Sequence, residues 1–168
     1  MKQKDLQPGD VLLFRPRGIL GRLVAWATGS EYCHATMYLT GCVAEMREFR
    51  GGRILPLADH RSETIDVFRA GASTLEKIVA VQNMQKLVKE RYSFLHGIAA
   101  WMLRRIPKRL RKWFNFECDR YGYHCSQSIS KAYRSASFDL RYGLADWATT
   151  PGDLAKSRRL RPIGRLEF

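Results

Sequence analysis

The chain lacks any apolar run approaching the roughly 18 residues that a membrane-spanning helix requires. Its first ten residues, Met-Lys-Gln-Lys-Asp-Leu-Gln-Pro-Gly-Asp, carry positive charge with no apolar stretch behind it, unlike a secretory signal peptide. A cytoplasmic protein, or one released without a signal sequence, is therefore expected. The four cysteines (Cys33, Cys42, Cys118 and Cys125) include no CxxC pair, and without a secretory signal free thiols are expected rather than disulfides. The sequence has no internal repeat, low-complexity linker or clear domain boundary, so its 168 residues are read as one domain, 1–168. Acidic residues are scarce, with 16 Asp and Glu against 29 Lys and Arg.

The resulting formal charge of +13 is unevenly spread. Residues 101–168 hold 15 basic side chains against 6 acidic, whereas residues 1–100 hold 14 against 10. A surface this basic favours polyanionic partners, among them phospholipid headgroups, cell-wall polymers and nucleic acid, without choosing among them. The hydrophobic fraction of 45% is that of a folded domain and argues against disorder.

Pro8-Gly9 supplies a turn before the apolar strand that ends at Phe14. Ile19, Leu20, Leu23, Val24 and Trp26 recur at helical spacing over Gly18–Thr28, and Gly29-Ser30 ends that helix. Strands are expected at His34–Leu39 and Cys42–Met46 across Thr40-Gly41, then around Phe49–Leu57 and at Glu63–Arg69. Ser73 and Glu76 form a capping-box pattern that opens a helix over about 74–91, with Leu75, Ile78, Val79, Val88 and Tyr92 predicted on its buried face. A second main helix is expected over Cys125–Ala136 and a short helical turn over Pro151–Ser157. The order is that of an α+β fold.

Cys125 stands at the head of its predicted helix, where unsatisfied N–H groups and the positive end of the dipole stabilise a thiolate. The alternative reading is a small buried core residue. His34 heads a predicted strand, with His34, Thr36 and Tyr38 on one side and Ala35, Met37 and Leu39 on the other. An imidazole there can serve as a general base, or can be a partly exposed surface histidine. A third group should hold the far ring nitrogen. Glu45, an acid in the otherwise apolar Val-Ala-Glu-Met strand one turn later, is in reach, with Glu48 as the substitute. Cys33 neighbours His34 on a strand and so points to the opposite face. His124 is read as structural or supporting. Cys33, His34, Cys118, His124 and Cys125 match no common zinc-ligand spacing, so no metal site is expected.

Taken in order, these segments resemble the circularly permuted papain-like amidases, the YiiX/YaeF-like branch of the NlpC-type superfamily, with the lecithin:retinol acyltransferase type as more distant kin. The landmarks are Leu6-Gln-Pro-Gly-Asp-Val-Leu-Leu-Phe14, Thr28-Gly-Ser-Glu-Tyr-Cys-His-Ala35, Val43-Ala-Glu-Met46, Tyr92, Cys125-Ser126 and Thr150-Pro-Gly-Asp-Leu154. The resemblance implies a small antiparallel sheet or barrel packed on a nucleophile helix. It carries the nucleophile to Cys125, the base to His34 and the orienting acid to Glu45, and implies that Tyr32 lines the site. Permutation accounts for the histidine preceding the cysteine by about ninety residues. Gln127 departs from the pattern, since relatives often carry an acid there. No cofactor is implied, and the expected substrate is peptide-like or acylated.

Residues 96–117 are long and basic for this link and are read as an insert. Arg104, Arg105, Lys108, Arg109, Arg111 and Lys112 lie between Trp101 and Trp113-Phe114, and Pro107 divides any helix there. An interfacial element against an anionic membrane or cell-wall polymer and a solvated basic lid are the two main readings. Nucleic-acid binding is not favoured, because no recognised module surrounds these residues. The leading expectation is a cysteine hydrolase cleaving an amide bond in peptidoglycan peptides. The alternatives are a lipid acyl hydrolase or acyltransferase and a non-catalytic basic binding protein.

Overall fold

The computed structural model describes residues 1–47, 50–90 and 122–168. Six strands form one antiparallel sheet: β1 (Val11–Phe14), β2 (His34–Tyr38), β3 (Cys42–Arg47), β4 (Gly51–Pro56), β5 (Ile65–Ala70) and β6 (Leu160–Arg165), in the order β4-β3-β2-β1-β5-β6. The helices among the described residues are α1 (Gly18–Thr28), α2 (Thr74–Leu87), α3 (Cys125–Arg134) and the short α4 (Pro151–Ala155). This is the expected α+β organisation. Glu48, Phe49, Tyr92, Cys118 and the whole basic segment at 96–117, with its six cations from Arg104 to Lys112, lie outside the described residues.

β1 and β2 are buried along their full lengths, because both faces of the sheet are covered. Val11, Leu13, Ala35, Met37, Ala44 and Met46 pack on one side with Ala80 and Met84 of α2 and Ile129, Ala132 and Tyr133 of α3. Leu12, Phe14, Tyr38, Val43, Ile65 and Val67 form the other core with Leu6, Leu57 and Leu166. Strand alternation puts His34, Thr36 and Glu45 on this second side, among apolar neighbours.

α2 begins as its sequence predicts: the Ser73 Oγ accepts from the Glu76 N–H, and the Glu76 carboxylate accepts from the Ser73 N–H. Its buried face is only partly the predicted one: Val88 is buried and Val79 packs against the core, as expected. Leu75 and Ile78 are 70% and 50% exposed, while Ala80, Met84 and Val88 are buried. Those three recur every fourth residue and so form one ridge, and the small Ala80 admits the neighbouring helix. The helix also ends earlier than expected, at Leu87 with Val88 as its cap. There β4 comes so close that a Cβ on Gly52 would overlap the Val88 carbonyl.

β6 is an element the sequence did not announce. Its Leu-Arg-Pro-Ile-Gly-Arg run carries Pro162 on an edge strand, where proline is tolerated, beside a register shift at Val67/Phe68 of β5.

Candidate active site

α3 starts at Cys125, as predicted, and His124 is its N-cap. The His124 ring is fixed at both nitrogens: Nε2–H donates to the Trp147 carbonyl at 2.9 Å and Nδ1 accepts from the Gln127 N–H at 3.4 Å. The Gln127 side chain accepts from the His124 N–H at 3.3 Å, closing the box as an acid would. The buried serines of this helix are satisfied as well, Ser126 by the Thr149 carbonyl and Ser130 by Asp146. As first helical residue, Cys125 has a backbone N–H outside the helical ladder.

His34 and Glu45 meet across the β2–β3 hairpin. Met37 faces Ala44 and Tyr38 faces Val43. Continuing that register sets Glu45 opposite Thr36, so its carboxylate reaches His34 along the diagonal rather than directly across. The His34 Nε2–H donates to Glu45 Oε2 at 2.8 Å. Glu45 is fully buried, and Cys125 and His34 are 6% and 8% exposed.

The remaining His34 nitrogen, Nδ1, has no aligned hydrogen bond among the described residues, and the Cys125 thiol lies beside it. Burial opposes charge on both groups, but their mutual attraction outweighs it. The Cys125 thiol is shifted below its ordinary value, with His124 and His34 both favouring the thiolate. The His34 imidazolium is stabilised by Cys125 and Glu45 and titrates above its ordinary value. Both shifts run in the direction that favours a thiolate–imidazolium pair over the neutral thiol and imidazole.

Two residues escaped the sequence reading. Arg53 faces Glu45 directly across the β3–β4 ladder, and its Nε–H donates to Glu45 Oε1 at 2.6 Å. Burial works against the charged carboxylate, but His34 and Arg53 together hold its pKa down at about 2. His60, buried in a short 3-10 turn (Leu57–His60), puts Nε2 3.7 Å from Glu45 Oε2 and packs edge-on to Phe14. Burial lowers its pKa and so disfavours its charged form. Arg53 depends on the β3–β4 register that the folded hairpin sets, and His60 had no local signal.

A cleft of about 330 Å³ opens over this end of the sheet, lined by His34, Phe14, Cys33 and the Gly18, Gly21 and Val24 side of α1. Cys33 directs its Sγ to the Phe14 carbonyl at 3.6 Å. Tyr32, expected to line the site, commits its hydroxyl to Asp66 at 3.0 Å and packs its ring edge-on to Phe68. Burial and the Asp66 carboxylate push that phenol up to about 12.

The C-terminal landmark supports the site from behind. Thr150 caps α4 in a box with Asp153, and a Cβ on Gly152 would stand 2.6 Å from Ser30 Oγ. The Thr28-Gly-Ser turn before His34 and the Thr150-Pro-Gly-Asp turn therefore pack directly on each other.

No family model matches this sequence, and no curated protein does. Among solved structures, the metalloprotein yiiX from Escherichia coli O157:H7 matches at 16% identity, over 96% of this chain and 98% of that one, with a TM-score of 0.62. The chain has the yiiX fold. That protein is described as a metalloprotein. Among the described residues no three His, Cys, Asp or Glu side chains are grouped to hold a metal ion, and the Arg53 guanidinium pairs with Glu45. No helix among the described residues is long and apolar enough to cross a membrane.

Proposed function

We propose that the protein is a cysteine hydrolase that cleaves an amide bond through an acyl-enzyme, with Cys125 as nucleophile, His34 as base and Glu45 as orienting acid. The observation that carries this reading is Cys125 at the first position of α3, beside a histidine whose far nitrogen is held by a fully buried carboxylate. The chain order His, Glu, Cys on a yiiX-like fold agrees with a circularly permuted papain-like arrangement.

In this mechanism His34 holds the proton of the Cys125 thiol in the resting state. The thiolate adds to the substrate carbonyl, and the backbone N–H of Cys125 donates to the oxyanion. The imidazolium then gives its proton to the departing amine, leaving a thioester. Water, deprotonated by His34, attacks that thioester, and collapse of the adduct releases the acid and the Cys125 thiolate, restoring the thiolate–imidazolium pair. Glu45 keeps the ring oriented and favours its charged form, and Arg53 keeps Glu45 ionised. The substrate class proposed is a peptidoglycan peptide.

A lipid acyl substrate is the second reading. It is favoured by α1, which borders the cleft and exposes Ile19 at 89% and Leu23 at 55% on adjacent turns. Turnover of purified muropeptides against anionic phospholipid vesicles separates the two. Cys125→Ala should abolish either activity while keeping the unfolding transition of the parent, and a non-catalytic binding protein would show no turnover to lose.

A further inference from the structure

A second cleft, of about 560 Å³, lies away from the triad. It sits where the β5–α2 turn meets the residues leading into β6, and β1 separates β5 from the catalytic β2. Arg69, Lys77, Arg158, Arg159, Arg161 and Phe138 line it, and no carboxylate is among its walls. None of these residues borders the first cleft or touches the triad.

The charge there is unbalanced. Arg69 is neutralised by Asp10, which accepts from its Nε–H at 2.8 Å and its Nη2–H at 2.7 Å. Arg161 stands directly opposite Arg69 in the β5–β6 ladder, and like charges so placed repel each other. Lys77, Arg158 and Arg161 have no ion pair among the described residues. Glu76, which feels Arg159, has its carboxylate engaged by the Ser73 N–H at 2.6 Å. Arg159 is pre-positioned, with its guanidinium 3.7 Å from the Phe138 ring centroid and 5.2 Å from that of Tyr142. A concave wall of uncompensated and partly immobilised cations is matched by a multivalent anion whose oxygens accept in several directions. The cleft is of a size that holds the remainder of a small ligand as well.

We propose that this cleft binds a phosphoryl group, borne by a soluble phosphate ester or by the headgroup of an anionic phospholipid. The test is calorimetric titration of the full chain at constant ionic strength, with pyrophosphate as the soluble probe and phosphatidic acid vesicles as the lipid probe. Saturable binding of either probe is expected, weakened about tenfold by Arg161→Gln and further by Arg158→Gln/Arg161→Gln, the loss typical of charge-assisted hydrogen bonds. Binding of pyrophosphate assigns the soluble source, and binding of vesicles alone assigns the lipid. Cys125→Ala should bind as the parent does. Because the like-charge pair repels when empty, Arg161→Gln should melt no lower than the parent without ligand and gain less from pyrophosphate. Failure of both probes to bind saturably, or binding indifferent to both arginine variants, overturns the proposal.

Discussion

Arg53 binds the one oxygen of Glu45 that His34 leaves unused: Nε–H donates to Oε1 at 2.6 Å while the histidine takes Oε2 at 2.8 Å. The carboxylate is thereby clamped at both oxygens inside the second core, and its orientation sets the imidazole's.

Arg53→Met would leave Oε1 buried without its donor. The expected cost is about 1–3 kcal/mol of stability, the range for an orphaned buried acceptor. A fall in kcat of about tenfold with little change in KM should accompany it, since the residue touches no substrate. Arg53→Lys should recover part of the stability but not the forked geometry. Urea unfolding and steady-state kinetics on the three proteins check both expectations.

Acid should act chiefly through Glu45. Its folded pKa, about 2, lies below the ordinary 4.5, so its contribution is present above 4.5 and is lost as pH falls toward 2. Glu45→Gln should start less stable at pH 7 and lose less between pH 5 and 2 than the parent. Parallel unfolding curves for parent and variant across that range would contradict the assignment.

The three residues of the proposed triad could be singled out because each carried a local signal: a cysteine at a helix start, a histidine at a strand head, and an acid in an apolar strand. Arg53 could not, because its meaning depends on a strand register that only the folded hairpin sets. Val79 and Val88 were placed rightly on α2, but Leu75 and Ile78 were misplaced because they are more apolar than Ala80, yet closeness to α3 rewards the small side chain. β6 was hidden by Pro162 and Gly164, which interrupt alternation but are tolerated at the sheet edge.

The packing of α4 on the Ser30 turn predicts a specific intolerance. Gly152→Ala would bring a Cβ to 2.6 Å from Ser30 Oγ, and displacing α4 should cost about 1–3 kcal/mol. Ser30→Gly in the same chain should return part of that loss, although it also removes the acceptor of the Tyr32 N–H. A double-mutant cycle by thermal unfolding reads the coupling.

His124 is expected to act first as a cap. His124→Ala should cost about 1–2 kcal/mol, while His124→Asn, a good N-cap residue, should retain most of the stability. Both variants remove the imidazole beside the thiol, so both should raise the pH at which Cys125 becomes reactive.

The central claim is the thiolate–imidazolium pair between Cys125 and His34, and the rate of alkylation at each cysteine against pH, in the parent and in His34→Ala, tests it most directly. The account predicts that Cys125 reacts ahead of Cys33, Cys42 and Cys118, with a midpoint below that of an ordinary thiol, and that His34→Ala moves the midpoint upward. Alkylation of Cys33 or Cys42 with Cys125 inert in the folded protein, or a Cys125 midpoint unchanged by His34→Ala, would contradict it.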